Sequence, residues 1–261
     1  AKIFSESSAD AIKFQIYSAE ELLTKKHPRF KHFKSQSFTN HQWNSLLTKS
    51  KKLNCKIYAD VFGLNSFKIA KRNNIDGYKV HSSDLNNDHL LKLLANENKV
   101  VFLSVGGSHI EEINNAINIF NEANNKNNLV LLYGFQAYPT RLEDTSLDRL
   151  KKIKKIFGKD IKIGYSDHVS GDDEFSTILP MMSLGYEIDC IEKHVNIDRS
   201  LKGVDYYSSL NPNEFKTFVK KFRSAEKALG SKVSFSEKKY REQVKKNWVS
   251  KTHIKKNSII K

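Results

Sequence analysis

The chain has 261 residues, 39% of them hydrophobic, with 44 Lys and Arg against 29 Asp and Glu for a net charge of +15. This is enough length and apolar content for one large α/β domain or two small ones, and a single domain is preferred. It contains no apolar run of membrane-spanning length, and its opening, AKIFSESSADAIKFQ, has neither the charged leader nor the apolar core of a signal peptide.

A pI near 9.6 favours anionic partners: phosphorylated metabolites, nucleic acid or acidic lipid. Lys and Asn crowd the helices and loops throughout, so the charge is read first as a compositional habit. The two cysteines, Cys55 and Cys190, lie inside strand-like runs and are expected as buried thiols of a reducing compartment, not as a disulfide. A cytoplasmic protein is expected. The sequence lacks an initiator Met and starts as though inside an element, as if cut from a longer protein.

In chain order, ADAIKFQ (9–15) reads as a strand with Lys13 and Gln15 on one face. Residues 17–38 show no period and are read as a long basic loop. From Thr39 a helix carries Trp43, Leu46 and Leu47 on one stripe, with Trp43 in the core. A strand at 55–60 and a helix near 64–73 lead to IDGYKVHSSD (75–84), where Lys79 and His81 share a face and Ser82 and Asp84 begin a loop. A short helix (86–95) precedes the strand VVFLSVGGS (100–108), which ends in Ser104 and a glycine turn. That turn could bring backbone N–H groups to a phosphate or be only tight. It opens a helix with Ile113, Ala116, Ile117 and Phe120 on one stripe.

The strand 129–135 is followed by Gln136 and Tyr138, aimed the same way, and by a helix bearing Leu147, Leu150 and Ile153. Two further strands, 161–166 and 190–194, end at His168 and His194, with a helical stretch (172–184) between them. Asn211 as N-cap, Pro212 at the first helical position and Gly230 as the stop bound the last helix. A basic tail with no evident core follows.

Seven strands, each followed by helix-like sequence, imply a parallel sheet. Polar groups at the carboxyl end of each strand favour a TIM (β/α)₈ barrel over a doubly wound sheet, which would gather its site at one switch point. Alternation puts Ser166 and His168 on one face, and Cys190, Glu192 and His194 on one face of the next strand. If the strands lie in one parallel sheet or barrel, two imidazoles with carboxylates beside them converge in the shape of a divalent-metal site. Asp167 and Lys193 face away and are read as a structural ion pair or solvent contacts.

The ordered series KFQ (13–15), KVHSSD (79–84), LSVGGS (103–108), QAYPT (136–140), GYSDH (164–168), EKH (192–194) and KGVD (202–205) resembles the N-acetylneuraminate (sialic acid) synthase family. That family includes the legionaminic, pseudaminic and spore-coat polysaccharide synthases. The resemblance implies a TIM barrel followed by a small antifreeze-like domain. It also implies condensation of phosphoenolpyruvate with an open-chain N-acyl hexosamine, such as N-acetylmannosamine, to a nine-carbon 2-keto acid and phosphate. His168 and His194 become the ligands of a divalent metal, Mn²⁺ before Mg²⁺ or Co²⁺. Lys13, Lys79, Ser82, Ser104 and Ser166 surround phosphoenolpyruvate. Gln15, Gln136, Tyr138 and Asp205 belong to the substrate site, with Asp84 and Glu192 as candidates for proton handling and for support of the ligands.

Three positions depart from the family pattern. Asp60 stands where a Thr helps bind phosphoenolpyruvate, His81 replaces a small residue, where it could supply an extra donor, and Gln136 replaces Asn. The family's first strand is expected before residue 1 and the antifreeze-like domain after residue 261. Residues 1–230 are therefore read as a barrel short of its first strand and 231–261 as a basic linker. The full-length protein is expected to be a homodimer, and this stretch alone to be inactive or nearly so. The alternatives are a catalytically lapsed barrel that binds an anionic sugar or phosphate, and a nucleic-acid binder, for which no reading surface is evident.

Overall fold

In the computed structural model, which describes residues 7–230 and 235–259, the apolar runs pair in sequence order into one parallel sheet. Its strands are β1 (Ala11–Ile16), β2 (Lys56–Val61), β3 (Gly77–Val80), β4 (Val100–Ser104), β5 (Leu129–Tyr133), β6 (Lys162–Asp167), β7 (Cys190–Val195) and β8 (Ser209–Leu210). Each is parallel to the next, which with helical crossovers gives the curved wall of a TIM-type barrel.

The first seven strands are those expected from the pattern. The eighth is a two-residue piece paired through His194↔Ser209 and Val195↔Leu210, too short to leave any period in the sequence. Among the described residues no ladder joins β8 back to β1, so the wall is open there. β1 and β7 are accordingly half-exposed along most of their length, whereas β3 and β5 are buried throughout.

The basic loop expected over 17–38 instead contains two short helices, α1 (Ala19–Leu22) and α2 (Phe30–Gln36). At one and two turns they are too brief to show a stripe. α3 (Asn40–Ser50) follows behind a reciprocal cap, in which Thr39 Oγ1 accepts from Gln42 N at 3.2 Å and Gln42 Oε1 accepts from Thr39 N at 2.8 Å. The crossovers continue with α4 (Leu64–Arg72), α5 (Asp88–Ala95), α6 (Ile110–Glu122), α7 (Leu147–Phe157) and α8 (Phe175–Ser183), and the unit closes with α9 (Pro212–Ala228). Glu21 on α1 accepts from the Asn65 and Ser66 N–H groups, satisfying donors at the start of α4.

The helix stripes pack on the outward face of the sheet. Leu91, Ile113 and Leu150 share a cluster with Leu103, Leu131 and Ile163, all without solvent exposure. Because side chains alternate along a strand, this outward apolar set sends Lys79, Ser104, Ser166 and Glu192 to the opposite face. The thiols Cys55 and Cys190 are unpaired, and half-buried where full burial was expected.

The chain divides into two compact units, residues 1–226 and 227–261. The expected boundary at 230/231 abuts residues 231–234, which lie outside the described residues. The tail holds one unexpected helix, α10 (Phe235–Gln243), with no buried residue and hence no amphipathic signature. No helix among the described residues is long and apolar enough to cross a membrane.

At the carboxyl ends the backbones of β4, β5 and β6 approach closely. A Cβ on Gly134 would stand 2.0 Å from the Ser166 carbonyl oxygen, and one on Gly106 1.8 Å from that of Gly134. Gly134→Ala is therefore expected to lower stability by about 1–3 kcal/mol through overpacking against backbone. Urea unfolding measures this, and an unchanged midpoint would contradict so close an approach.

Candidate active site

The inward groups of β1, β2, β3 and β7 meet at the carboxyl end of the sheet as a closed ring of charges. Lys13 Nζ lies 3.3 Å from Asp60 Oδ2 and 3.5 Å from Glu192 Oε1. Lys79 Nζ lies 2.6 Å from Glu192 Oε1 and 3.8 Å from Asp60 Oδ2. The Lys13–Glu192 contact joins β1 to β7 on the side of the wall where no described ladder links β8 to β1. Lys79 is 3% exposed and Asp60 fully buried, so these charges have exchanged water for one another.

Burial alone would raise the Glu192 carboxyl, but Lys13 and Lys79 outweigh it and hold the group well below the usual carboxylate range. Burial likewise opposes charge on Lys13, where Glu192 and Asp60 prevail and raise the ammonium above its ordinary value. On Lys79 burial prevails, helped by repulsion from Lys13, and its value is lowered.

Beside this ring stand the two imidazoles. His168 Nδ1 is 2.7 Å from the Phe135 carbonyl oxygen, which can only accept, so Nδ1 carries the proton and the Nε2 lone pair faces inward. Ser166 Oγ lies 3.1 Å from that Nε2 and 3.1 Å from Glu192 Oε1. The His168 and His194 ring centroids are 5.3 Å apart, and Tyr138 packs on both, at 4.6 Å and 5.6 Å. Ligand atoms of His168, Glu192 and His194 all lie within 4.8 Å of one another. Burial lowers the His168 imidazole to about 3 and, together with His168, pushes His194 well below its ordinary value. Two neutral imidazoles and an ionised carboxylate are a donor set that fits a divalent transition metal.

Two polar atoms in this mouth are buried with no hydrogen-bond partner, Asp60 Oδ1 and Ser104 Oγ. Unpaired buried polar groups are rare and unfavourable, which makes both atoms candidates to meet a ligand.

The remaining candidates lie at or after the carboxyl ends of β1, β3, β5 and β7. Gln15 shares the face of Lys13 and pairs in register with Asp60. Tyr138 OH donates to Gln136 Oε1 at 2.5 Å, and Gln136 Nε2 donates to the Gly134 carbonyl at 3.3 Å. Asp205 opens a 3₁₀ turn with φ +56°; burial raises its carboxyl, and its charge adds to burial in raising the Tyr138 hydroxyl. Ser82 lies half-buried in the turn Ser82–Asp84. Asp84 is engaged within that turn, accepting from Ser83 Oγ at 2.9 Å and Asn87 Nδ2 at 3.3 Å, and makes no hydrogen bond or ion pair to the cluster. His81 Nδ1 accepts from Ser83 N at 3.3 Å, which leaves the ring proton on Nε2.

Two features were not legible beforehand. Glu192 stands among the ligand atoms and not only behind them, which its spacing two residues before His194 on one strand face could have signalled. The Phe135 carbonyl that orients His168 is backbone and has no sequence signature. Asp167 and Lys193, on the outward face, form a fully buried ion pair, the first of the two expectations for them.

A sequence model of the NeuB family matches residues 2–234. The chain is 34% identical over 255 residues to an uncharacterized protein of Methanocaldococcus jannaschii, covering 97% of this chain and 73% of that one. It is 29% identical over 276 residues to N,N'-diacetyllegionaminic acid synthase of Campylobacter jejuni, covering 99% and 80%. Among solved structures, the N-acetylneuraminic acid synthetase of Leptospira borgpetersenii in complex with citrate matches with a TM-score of 0.81 and 28% identity, over 92% of this chain and 83% of that one.

Proposed function

This chain belongs to the NeuB family, and from that premise we propose that it condenses phosphoenolpyruvate with an open-chain N-acyl hexosamine to give a nine-carbon 2-keto sugar acid and phosphate. The observation that carries the proposal is the meeting of Lys13 and Lys79 with the His168, Glu192 and His194 donor set in one buried mouth. The relatives named as sialic- and legionaminic-acid synthases support the same class of substrate.

In this reading Lys13 and Lys79 hold the carboxylate and phosphate of phosphoenolpyruvate, whose desolvation would otherwise oppose binding. Ser104 and Ser166 supply hydroxyl donors to the same anion. Carbon 3 of the enol bonds to the aldehyde carbon of the sugar, water adds at carbon 2, and phosphate leaves. His168, Glu192 and His194 would hold a divalent metal, Mn²⁺ by resemblance, which when bound would supply Lewis acidity. Glu192, kept ionised and weakly basic by its lysines, orients the incoming water as a hydrogen-bond acceptor, and the protons that water gives up end on the new sugar hydroxyl and on the departing phosphate. Gln15, Gln136, Tyr138 and Asp205 line the sugar side, where the ring of Tyr138 excludes water from the imidazoles. Asp84, tied into its own turn, is assigned no step. A cytoplasmic location and a homodimer accompany this reading.

A single-turnover assay with protein in excess over phosphoenolpyruvate tests it. Phosphate release that requires both Mn²⁺ and an N-acyl hexosamine is the expected result. Asp60 favours one second reading, a barrel that binds an anionic sugar or phosphate without condensing it, because this carboxylate lies where the anion would sit. Binding of phosphoenolpyruvate with no sugar-dependent release would select that reading.

A further inference from the structure

We propose that Asp60 makes anion binding at this site conditional on a divalent cation. The inference rests on reading the mouth as a joint anion and cation site, and it concerns what happens before any chemistry.

In the ring each ammonium group faces both carboxylates: Lys13 at 3.3 Å and 3.5 Å, Lys79 at 3.8 Å and 2.6 Å. Two ammonium and two carboxylate groups cancel, so the buried ring offers an incoming anion no net attraction. An anion would also have to compete with Glu192 for Lys79, whose contact at 2.6 Å is the shortest in the ring. With a neutral residue in place of Asp60, the same lysines would carry a surplus positive charge, and the site would bind anions without help.

The second carboxylate belongs to two constellations at once. Glu192 is the ring's partner for both lysines, and its ligand atom lies within 4.8 Å of those of His168 and His194. A cation seated there neutralises the charge that Glu192 directs at the lysines and adds its own, so the mouth changes from balanced to positive. Asp60 keeps the lysines placed while this happens. Its Oδ2 already faces both ammonium groups, and its buried Oδ1 has no partner, leaving acceptor capacity for whichever ammonium Glu192 releases. Cation and anion sites are thus coupled through Glu192, with Asp60 setting the anion affinity of the empty state. Linkage requires the effect to be mutual.

Isothermal titration of phosphoenolpyruvate, and separately of inorganic phosphate, into the 261-residue chain with and without Mn²⁺ reads the coupling directly. In the wild type Mn²⁺ is expected to tighten anion binding by at least about tenfold, and the anion to tighten Mn²⁺ binding by the same factor. In Asp60→Asn, checked for fold by circular dichroism, anion affinity without Mn²⁺ rises by about tenfold and the increment from Mn²⁺ shrinks, while Asp60→Glu restores the dependence. Equal anion affinity with and without Mn²⁺ in the wild type overturns the proposal, as does an Asp60→Asn protein that binds anions no better than the wild type without Mn²⁺. The coupling is independent of condensation. Coupled binding with no sugar-dependent phosphate release contradicts the proposed function alone, and release with uncoupled binding contradicts this inference alone.

Discussion

Replacing His194 with alanine is expected to weaken Mn²⁺ binding by about a hundredfold or more, since altering groups that merely orient a ligand already lowers affinity by about 10–100-fold. The fold should survive, because the imidazole contributes ring contacts with Tyr138 and His168 and no strand ladder. His168→Ala should have the same effect on the metal and a larger one on stability, since it also removes the hydrogen bond to the Phe135 carbonyl. Electron paramagnetic resonance of free Mn²⁺ during titration measures both. Binding within a few-fold of wild type in either variant would mean that the imidazoles only fill space beside Tyr138.

Lys193→Met should destabilise the fold more than Gly134→Ala or the loss of either histidine. Lys193 and Asp167 pair on the outward face of β7 and β6 with side chains 1% and 0% exposed. Burial raises the Asp167 carboxyl and lowers the Lys193 ammonium, in each case against the pull of the partner. Removing the lysine leaves a buried carboxylate whose remaining side-chain donor is Tyr165 OH at 3.1 Å. The expected loss is about 3–5 kcal/mol, a fall in melting temperature of about 10 °C. The double variant Asp167→Asn, Lys193→Met should recover more than half of it, because no unpaired charge is left and Asn still accepts from Tyr165. A loss under about 1 kcal/mol in the single variant would show that water reaches the pair.

What the sequence made legible follows from period and position. Seven strands were visible because each is an apolar run of four to six residues with polar groups at its end, and α6 because Ile113, Ala116, Ile117 and Phe120 repeat at helical spacing. The short elements were not: β8 has two residues and α1 four, about one period of a strand and of a helix, which leaves nothing to repeat. α9 shows the limit of cap signals. Asn211 stands at its start as expected, yet its Oδ1 accepts from Arg199 N, while Glu214 Oε2 reaches back to the Asn211 N–H at 2.7 Å.

The site divides in the same way. Lys13, Lys79, Ser166, Glu192, His168 and His194 converge because alternation on parallel strands fixes their face. The pairing within that face was not legible. Asp60 reads in sequence as an acid misplaced beside an anion, whereas in three dimensions it is the counter-ion of both lysines. Strand order and curvature decide which of several like-facing groups touch, and neither is written in the local pattern.

A crystal grown with Mn²⁺ and phosphoenolpyruvate, measured at the manganese absorption edge, tests the central claim most directly. One anomalous peak within bonding distance of His168 Nε2, His194 and Glu192, with the anion against Lys13 and Lys79, is the expected result. A peak elsewhere, or an anion bound away from both lysines, would contradict the assignment of this mouth as the site of condensation.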